Sequence, residues 1–442
     1  MTTVSTAPAA AQTGALERVT AAHWLVVIIA SAGWLFDCMD QRLFILARES
    51  ALRELLGPAA TAADVKTYSG YATTAMILGW ATGGIFFGMM SDKWGRVRTM
   101  VVTLLVYSGF TGICGFATTW FDFTVYRFLT GLGVGGMFGA ATTLVAESVP
   151  GHFRSVALGS LQALSAVGNI LGSLISLRVQ PGATDVLGDY SGWRALFFVG
   201  ILPAILVVPI VLFLREPEAW RRAKAEAATG KVARNVGSPL ELFRSPRWRR
   251  NSIIGLLLGL SGMGGLWGIG FFSPELISTA LAGAPQTEID TVRGWGTALQ
   301  DLGSFVGMLA FTYVASVLSR RLAFACAFVL GLGTTAFVFQ SLSSAADAYW
   351  MLPMMGFAQL ALFAGYSIYF PELFPTRLRG TGVGFCYNTV RYLAAPAPIL
   401  LGYLSTVMSF RSAAVMMSTV YLVGLIALGW APETKGRPLP ED

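Results

Sequence analysis

Residues 33–44 read GWLFDCMDQRLF and lie inside a long apolar run, residues 22–46. They place Asp37, Asp40 and Arg42 where a membrane helix is otherwise apolar. A charged side chain at the centre of a bilayer costs at least about 2.5–3.5 kcal/mol, so these charges must face protein or water. Because Asp37 and Asp40 are three residues apart, they share one helical face. We expect this face to line a central cavity around which the other helices are arranged.

The composition is typical of a polytopic membrane protein. Of 442 residues, 12% are charged and 54% are hydrophobic, whereas soluble domains carry about 25% charged residues. Repeated apolar runs of about 20 residues predict an all-α protein with many membrane spans. The net charge of +7 does not indicate nucleic-acid binding, because the basic residues cluster in particular loops.

The apolar runs predict twelve transmembrane helices in two six-helix repeats. The predicted spans are residues 22–46, 68–90, 97–118, 120–146, 154–178 and 193–214, followed by 251–279, 293–317, 321–342, 347–370, 380–406 and 411–430. The predicted domains are a disordered tail (1–21), an N-terminal half (22–214), a cytoplasmic linker (215–250), a C-terminal half (251–430) and a cytoplasmic tail (431–442).

The distribution of Lys and Arg predicts the orientation. With both termini in the cytoplasm, the inside segments hold 21 basic residues and the outside loops hold 7. Positive charge accumulates on the cytoplasmic side of membrane proteins. We therefore expect a multi-pass protein of the inner cell membrane, in contact with the lipid bilayer and monomeric.

The two halves resemble repeats of each other. ESVPGHFR at residues 147–154 and ELFPTRLR at residues 372–379 match at Glu, Pro and Arg with a shift of 225, and Gly159 matches Gly384 at the same shift. Parallel repeats about an axis along the membrane normal place a transport site at the interface between the halves.

The loop between the second and third spans reads GMMSDKWGRVR at residues 88–98. It resembles the signature G-x-x-x-D-[RK]-x-G-[RK] of the major facilitator superfamily, with matches at Gly88, Asp92, Gly95 and Arg96 among others. Gly95 suits a tight turn with positive φ, and Asp92 can accept hydrogen bonds from the free amides of a helix N-terminus. The alternative is an ordinary basic turn.

The repeated E-x-x-P-x-x-x-R motif resembles the cytoplasmic charge motifs of sugar porters and of sialate and aromatic-acid proton symporters. That resemblance implies a gate that locks the outward-facing state, built from Glu147, Arg154, Glu372 and Arg379 with Arg96 as partner. The second-half loop VASVLSRR at residues 314–321 has lost the Asp and the glycines, so a symmetric lock is not expected. Structural capping and snorkelling are the alternative roles.

Arg127 matches the fourth-helix arginine of the superfamily. With a rise of 1.5 Å per residue, Arg127 lies about 10 Å from the outer end of its span, and Asp40 and Asp37 lie about 9 and 13 Å from the same side. The first helix also resembles the D-G-F-D of the sialate and aromatic-acid symporters, with Cys-Met replacing Gly-Phe. These residues are predicted to couple transport to protons. The alternative is a static buried ion pair.

Arg391 lies midway along the eleventh span, beside Tyr387 and Asn388. A lone arginine at this depth suits a substrate carboxylate, which accepts paired N–H donors. Asp301 in the eighth span is the competing partner, so anion anchor and structural ion pair stay open. Gln162 and Asn169 share one face of the fifth span and could bind substrate or make polar contacts between helices.

The predicted function is proton-coupled symport of a small organic anion, most simply a monocarboxylate, by alternating access. A sugar or polyol symporter is the alternative within the superfamily, and a transporter-like sensor the alternative outside transport. We expect no enzyme activity, cofactor, metal site or catalytic residue, because two histidines and no nucleophile–base pattern offer little for such chemistry. The partners are a small-molecule substrate and protons.

Overall fold

The computed structural model describes residues 18–183, 186, 188, 190–228, 237–394 and 397–441, and this part of the chain contains helices and no β-strand. The predicted all-α fold is confirmed. Ten helical segments within the described residues are long and apolar enough to cross a membrane. Residues 1–17 of the predicted tail lie outside the described residues.

The N-terminal half contains seven α-helices and one 3₁₀ turn. They are α1 Ala21–Leu56, α2 Ala62–Trp94, α3 Arg96–Cys114, α4 Trp120–Ser148, α5 Gly151–Arg178, α6 Gly192–Val199, the 3₁₀ turn Leu202–Leu206 and α7 Val207–Phe213. The last three form the sixth span, which is interrupted at Pro203. The linker contributes α8 Glu218–Ala228 and α9 Pro239–Arg244.

The C-terminal half contains nine α-helices and a second 3₁₀ turn. They are α10 Pro246–Gly268, the 3₁₀ turn Gly270–Phe272, α11 Ser273–Ala280, α12 Gln286–Val317, α13 Arg320–Ser341, α14 Ala345–Leu373, α15 Arg379–Ala394, α16 Ala397–Val407, α17 Phe410–Ser418 and α18 Val420–Leu428. The seventh, eleventh and twelfth spans are each built from two α-helices. Broken helices of this kind are tolerated in membranes where protein covers the freed backbone groups.

The first helix is longer than its apolar run. Beyond residue 46 the sequence alternates polar residues with Ala47, Ala51 and Leu52, which are fully buried. This four-residue spacing keeps one helical face in contact with the protein. The helix ends at Gly57, whose φ of +81° suits glycine.

Two helices, α4 and α14, occupy the centre of the bundle and are mostly buried. The halves meet along two seams, α2 against α15 and α5 against α12. We call the end of the bundle that carries the start of α1 and residues 431–441 the terminal face. The two seams position the charged residues described below.

Candidate functional site

Asp40 forms its ion pair inside the N-terminal half. Its Oδ2 lies 3.8 Å from Nη1 of Arg127 on α4, and both side chains are fully buried. Nη2 of Arg127 donates a hydrogen bond to the hydroxyl of Thr111 at 3.0 Å. The rings of Phe44 and Phe197 each lie 5.0 Å from the guanidinium. This pair is therefore enclosed by residues of one half.

Asp37, one turn earlier on α1, faces the other half. Its side chain is fully buried, and neither carboxyl oxygen accepts a hydrogen bond from the residues that the structure describes. The arginine whose charge attracts it is Arg391 on α15. A buried charge without a hydrogen-bonded partner is costly, so Asp37 is a buried carboxylate whose charge the described residues leave only partly compensated.

Arg391 is held by its own helix and by α2. Its Nη1 donates to the carbonyl oxygen of Tyr387 at 2.7 Å and to Oδ1 of Asn388 at 2.9 Å. The guanidinium stacks over the ring of Trp80, 3.8 Å from the centroid. Its Nε makes no hydrogen bond within the described part of the chain. An edge of the guanidinium is thus free to receive a carboxylate.

The centre of the molecule is sealed in this conformation. Phe138 on α4 stacks on Tyr387 of α15, with ring centroids 3.9 Å apart and an interplanar angle of 21°. Asp37 and Asp40 have no exposed surface. The structure therefore differs from the expectation that the helical face of Asp37 and Asp40 lines an open cavity. The stacked rings of Phe138 and Tyr387 join the two halves instead.

Asp301 pairs with Arg42 rather than with Arg391. Oδ2 of Asp301 lies 2.7 Å from Nη2 of Arg42, and both side chains are about a quarter exposed. The bond joins α1 to α12 and therefore crosses between the halves. The alternative that Arg391 is neutralised by Asp301 is wrong in this structure, because Asp301 binds Arg42.

The two amides of α5 have less defined surroundings. Gln162 is buried, and its Oε1 accepts no hydrogen bond from a described residue. Asn169 is half-buried, and its backbone carbonyl accepts a bond from the Ser173 hydroxyl at 3.1 Å. Their assignment to the substrate site stays a prediction.

A cluster of charges joins the halves at the terminal face. Nε of Arg96 donates to Oε2 of Glu147 at 2.9 Å, and Nη2 donates to the carbonyl of Thr376 at 2.7 Å. Arg379 of the other half donates to the same Glu147 carboxylate. One carboxylate therefore bridges two arginines from different halves.

Asp92 closes the same face by capping α15. Its carboxylate accepts hydrogen bonds from the backbone N–H groups of Gly380 at 3.0 Å and Thr381 at 2.7 Å. The backbones are close: a Cβ added to Gly88 would lie 2.6 Å from the carbonyl oxygen of Gly380. Gly95 begins the turn to α3 with a φ of +116°. The terminal face is thus closed along the α2–α15 seam.

A sequence-family comparison agrees with this architecture. The family model described as Major Facilitator Superfamily matches residues 31–397, most of the chain. The chain belongs to the Major Facilitator Superfamily. The prediction of this family from the loop motif is confirmed.

Curated relatives in this superfamily are transporters. The chain is 30% identical over 349 residues to a cis,cis-muconate transport protein of Acinetobacter baylyi, covering 78% of this chain and 81% of the relative. It is 30% identical over 329 residues to the sialic acid transporter NanX of Escherichia coli, covering 73% and 74%. A putative metabolite transport protein of Haemophilus influenzae is 28% identical, covering 96% and 99%.

Solved structures show the same fold. The proton:xylose symporter XylE superimposes with a TM-score of 0.75 at 17% identity, covering 94% of this chain and 97% of XylE. A human organic anion transporter, TETRAN, superimposes with a TM-score of 0.71 at 15% identity, covering 92% and 99%. The twelve-helix architecture in two repeats is therefore established as the fold.

In this member of the superfamily, the second half repeats much of the charge cluster. Arg320 opens α13 as Arg96 opens α3, and its Nη2 donates to Oε1 of Glu372 at 2.9 Å. The same nitrogen donates to the Ser155 hydroxyl of the first half at 2.6 Å. Arg320 keeps the ion pair with Glu372 although the loop around it has lost its Asp and glycines. The expected asymmetry of the lock nevertheless holds among the described residues, because Glu147 also binds an arginine of the other half, whereas the ion pair of Glu372 stays within its own half.

The expectation that Arg96 is the partner of both E-x-x-P-x-x-x-R motifs is also corrected. Glu372 is bound by Arg320, whereas Arg96 binds Glu147. Nε of Arg154 donates to the carbonyl of Ala146 at 2.9 Å, just as Nε of Arg379 donates to that of Pro371. Both arginines therefore brace the end of the helix that precedes them.

Two glutamates that follow the sixth and twelfth spans cap the neighbouring helices. Glu216 accepts hydrogen bonds from the N–H groups of Arg96 at 2.7 Å and Val97 at 3.0 Å. Glu433 accepts from Ser319 and from the N–H of Arg320. Burial acts to raise the pKa of Glu433, but hydrogen bonds from Ser319 and from backbone amides outweigh it and hold the pKa below its usual range.

The sequence carried signals for these missed residues. Arg320 follows Arg96 by 224 residues, close to the repeat shift of 225. Glu216 and Glu433 each stand shortly after the final apolar run of a half. Arg42 was visible as a third charge in the first span, but its partner is 259 residues away, beyond the reach of spacing arguments.

A cavity of about 900 Å³ opens on the terminal face. It lies between the start of α10, the end of α14 and residues 432–441, with Arg250 and Glu372 among its lining residues. It is remote from Asp37 and Arg391, which are buried at the interface between the halves.

Proposed function

We propose that the protein is a proton-coupled symporter of a small organic acid. Asp37 binds the proton and Arg391 binds a carboxylate of the substrate. The observation that carries the proposal is that these two opposite charges, one from each half, are both buried, and that both carboxyl oxygens of Asp37 and Nε of Arg391 lack a hydrogen-bond partner among the described residues. A proton on Asp37 and a substrate carboxylate at Arg391 can together neutralise these two charges.

Charge balance links the two ligands. A proton on Asp37 removes the negative charge that faces Arg391, and the uncompensated arginine then favours an anion. A bound carboxylate in turn neutralises Arg391. Since burying unpaired charge is costly, the centre is neutral either with neither ligand or with both, and these two forms exchange between outward and inward states most readily.

The paired carboxylate of Asp40 has a supporting role in this proposal. Arg127 compensates its charge within one half, so Asp40 holds the first helix against α4 while Asp37 titrates. Asn388 orients the Arg391 guanidinium through its Oδ1, and Tyr387 and Phe138 close over the site.

The terminal face is proposed as the cytoplasmic side of the inner membrane, and the monomer as the transporting unit. Asp92, Arg96, Glu147 and Arg379 would form the gate that must open to release substrate inside. The positive-inside distribution of Lys and Arg supports this orientation.

The relatives supply the substrates to be tried. Their names include cis,cis-muconate, sialic acid, niacin and benzoate, all of which carry a carboxylate. The experiment measures binding of these acids and of xylose to the purified wild type, to Arg391→Gln and to Arg411→Gln. Arg411 is the matched control because it donates hydrogen bonds to backbone carbonyls at the C-terminal end of α13, away from the interface.

We expect at least one acid to bind the wild type, more tightly at pH 5.5 than at pH 7.5. Arg391→Gln should weaken that binding by at least about tenfold, because a charge-assisted hydrogen bond contributes about 1.5–3 kcal/mol. Arg411→Gln should leave the affinity unchanged. Binding of xylose alone, or an unchanged affinity in Arg391→Gln, would contradict the proposal.

A further inference from the structure

The cavity on the terminal face has no part in the function proposed so far, and we call it the terminal cavity. Its volume of about 900 Å³ lies at the upper end of the range of about 300–1,000 Å³ that is typical of small-molecule sites. It lies between the first turn of α10, the end of α14 and the segment 432–441 that follows the twelfth span. All three elements follow the linker in the chain, so rigid-body motion of the halves should preserve the cavity.

Three arginines line the terminal cavity: Arg247, Arg250 and Arg437. All three residues are exposed. The Arg247 guanidinium lies over the ring of Trp248, 4.6 Å from its centroid. Nη2 of Arg250 donates a hydrogen bond to the carbonyl oxygen of Trp430 at 2.9 Å. Because a guanidinium carries five N–H donors, this single bond leaves most donors of Arg250 available to an anion.

A tight turn positions Arg437 at the cavity. The N–H of Arg437 donates to the carbonyl oxygen of Thr434 at 3.1 Å. Gly436, the third residue of this turn, has a φ of +72°, a value that favours glycine at that position. The Thr434 hydroxyl donates to Oε2 of Glu372 at 2.6 Å. The turn is therefore fixed to the end of α14, and the backbone of Arg437 has a defined place.

The charges around the terminal cavity favour an anion. Two carboxylates line it, Glu372 and Glu441. Glu372 already forms an ion pair with Arg320, with 2.9 Å between Oε1 and Nη2. Among the described lining residues, Glu441 is then the one carboxylate set against three guanidiniums. The first turn of α10 adds free backbone N–H groups, because the side chain of its N-cap residue Ser245 does not bind them.

The cavity lies beside the lipid-facing surface of the C-terminal half. Ile253 follows Arg250 by three residues, so the two share one face of α10, and Ile253 is 48% exposed. Trp430, which accepts the hydrogen bond from Arg250, is an exposed aromatic residue at the end of the twelfth span. Tryptophan is typical of the boundary between membrane and water. An anion bound at Arg250 can therefore extend an apolar chain along α10 into the bilayer.

We propose that the terminal cavity binds the headgroup of an anionic phospholipid. The phosphate contacts Arg247, Arg250 and Arg437, and the acyl chains lie along the exposed face of α10. Basic pockets between helices at the membrane surface are typical of sites for anionic headgroups. The lipid is a bound component of the transporter and not its substrate, so the inference does not depend on Asp37 or Arg391.

The test measures lipid binding to the purified full-length protein by native mass spectrometry. The protein in a neutral detergent is titrated with dioleoyl phosphatidylglycerol or with dioleoyl phosphatidylcholine, which has the same acyl chains and no net charge. We expect phosphatidylglycerol to bind the wild type at least about tenfold more tightly than phosphatidylcholine. Arg247→Gln/Arg437→Gln should reduce the affinity for phosphatidylglycerol at least about tenfold, because two charge-assisted hydrogen bonds are lost.

Arg249→Gln is the matched control. Arg249 is exposed in the same turn of α10 but does not line the terminal cavity. Its substitution removes the same charge from the same surface and should change the affinity by less than about twofold, because exposed charges outside the site contribute little. Glu441→Gln should instead raise the affinity about threefold, because it removes an opposing carboxylate.

A second variant covers the case in which Arg247→Gln/Arg437→Gln does not fold. Arg437→Gln changes a single exposed residue and should lower the affinity for phosphatidylglycerol at least about threefold. The same titration measures this loss against the wild type and Arg249→Gln.

Three results would overturn the inference. One is equal affinity of the wild type for the two lipids. Another is a loss in Arg249→Gln as large as that in Arg247→Gln/Arg437→Gln, which indicates general attraction by a basic surface. The third is binding of sn-glycerol 3-phosphate as tightly as phosphatidylglycerol, which assigns the cavity to a soluble phosphate ester.

Discussion

The buried charges of this transporter fall into pairs inside one half and pairs between the halves. Asp40 and Arg127 illustrate the first kind: they are enclosed by residues of the N-terminal half. Asp37, three residues before Asp40 on α1, and Arg391 on α15 illustrate the second. Both carboxylates are fully buried, so burial alone does not distinguish their roles. The distinction is whether the partner moves with the same half when the transporter changes state.

The two clusters at the terminal face differ in the same way. Glu147 binds Arg96 of its own half and Arg379 of the other. Glu372 binds Arg320 of its own half, with a hydroxyl from residues beyond the twelfth span. Rigid-body motion of one half against the other must break the first cluster and can leave the Glu372 pair intact. Pairs inside a half should therefore govern stability, and pairs between halves should govern state and coupling.

The largest effect expected from this comparison is on stability. Arg127→Gln leaves the buried carboxylate of Asp40 without its cation and should reduce the free energy of unfolding by roughly 3–5 kcal/mol. Arg391→Gln should reduce it less, because Asp37 forms no ion pair with Arg391 in this structure, whereas Asp40 lies 3.8 Å from Arg127. Denaturation of the two variants in the same detergent checks the order. Equal losses would break the distinction between the two kinds of pair.

A smaller effect is expected on the balance between states. Glu147→Gln removes the charge that holds two arginines together and should favour opening of the terminal face. Ser91 on α2 is fully buried there, so a Ser91→Cys reporter in a background without the native cysteines should react with a thiol reagent. We expect at least about a tenfold faster reaction in Glu147→Gln.

Glu372→Gln is the matched variant for that measurement. Its ion pair lies inside one half, so the substitution should change the free energy of opening by no more than about 0.6 kcal/mol, which is about RT. The reporter at position 91 should therefore react within about threefold of its rate in the parent protein. A faster reaction in Glu372→Gln than in Glu147→Gln would reverse the assignment of the two clusters.

The smallest effect concerns Glu433, which is partly exposed and outside the membrane. Because its pKa is lowered in the folded protein, its stabilisation is full above the ordinary glutamate pKa of about 4.3 and is lost as the pH falls through the lowered value. Thermal melts between pH 6 and pH 3 should show a shallower acid-side fall of Tm in Glu433→Gln than in the control Glu441→Gln. Identical profiles would contradict this role.

Much of the fold was predictable, because membrane spans are recorded in local composition. The loop over residues 88–98 and the repeated motif with a shift of 225 were sufficient to predict the superfamily and the cluster around Glu147. Helix breaks in the seventh and eleventh spans were not predicted, because an apolar run does not record where the backbone leaves helical geometry.

The site was predictable only in part. Asp37, Asp40 and Arg127 stood out because charge in an apolar span is costly, and helical depth placed Arg127 beside the first helix. The partner of Asp301 was not predictable, because Arg42 is 259 residues away in the chain and belongs to the other half. The sealed centre depends on the conformational state, which no local pattern encodes.

Proton uptake during binding tests the central claim most directly. In weakly buffered solution, addition of a monocarboxylate that binds the wild type should remove about one proton per bound molecule, because Asp37 is the group that titrates. Asp40→Asn should retain this uptake in its folded fraction, and Asp37→Asn should bind the acid with no uptake. Undiminished proton uptake in Asp37→Asn would contradict the account.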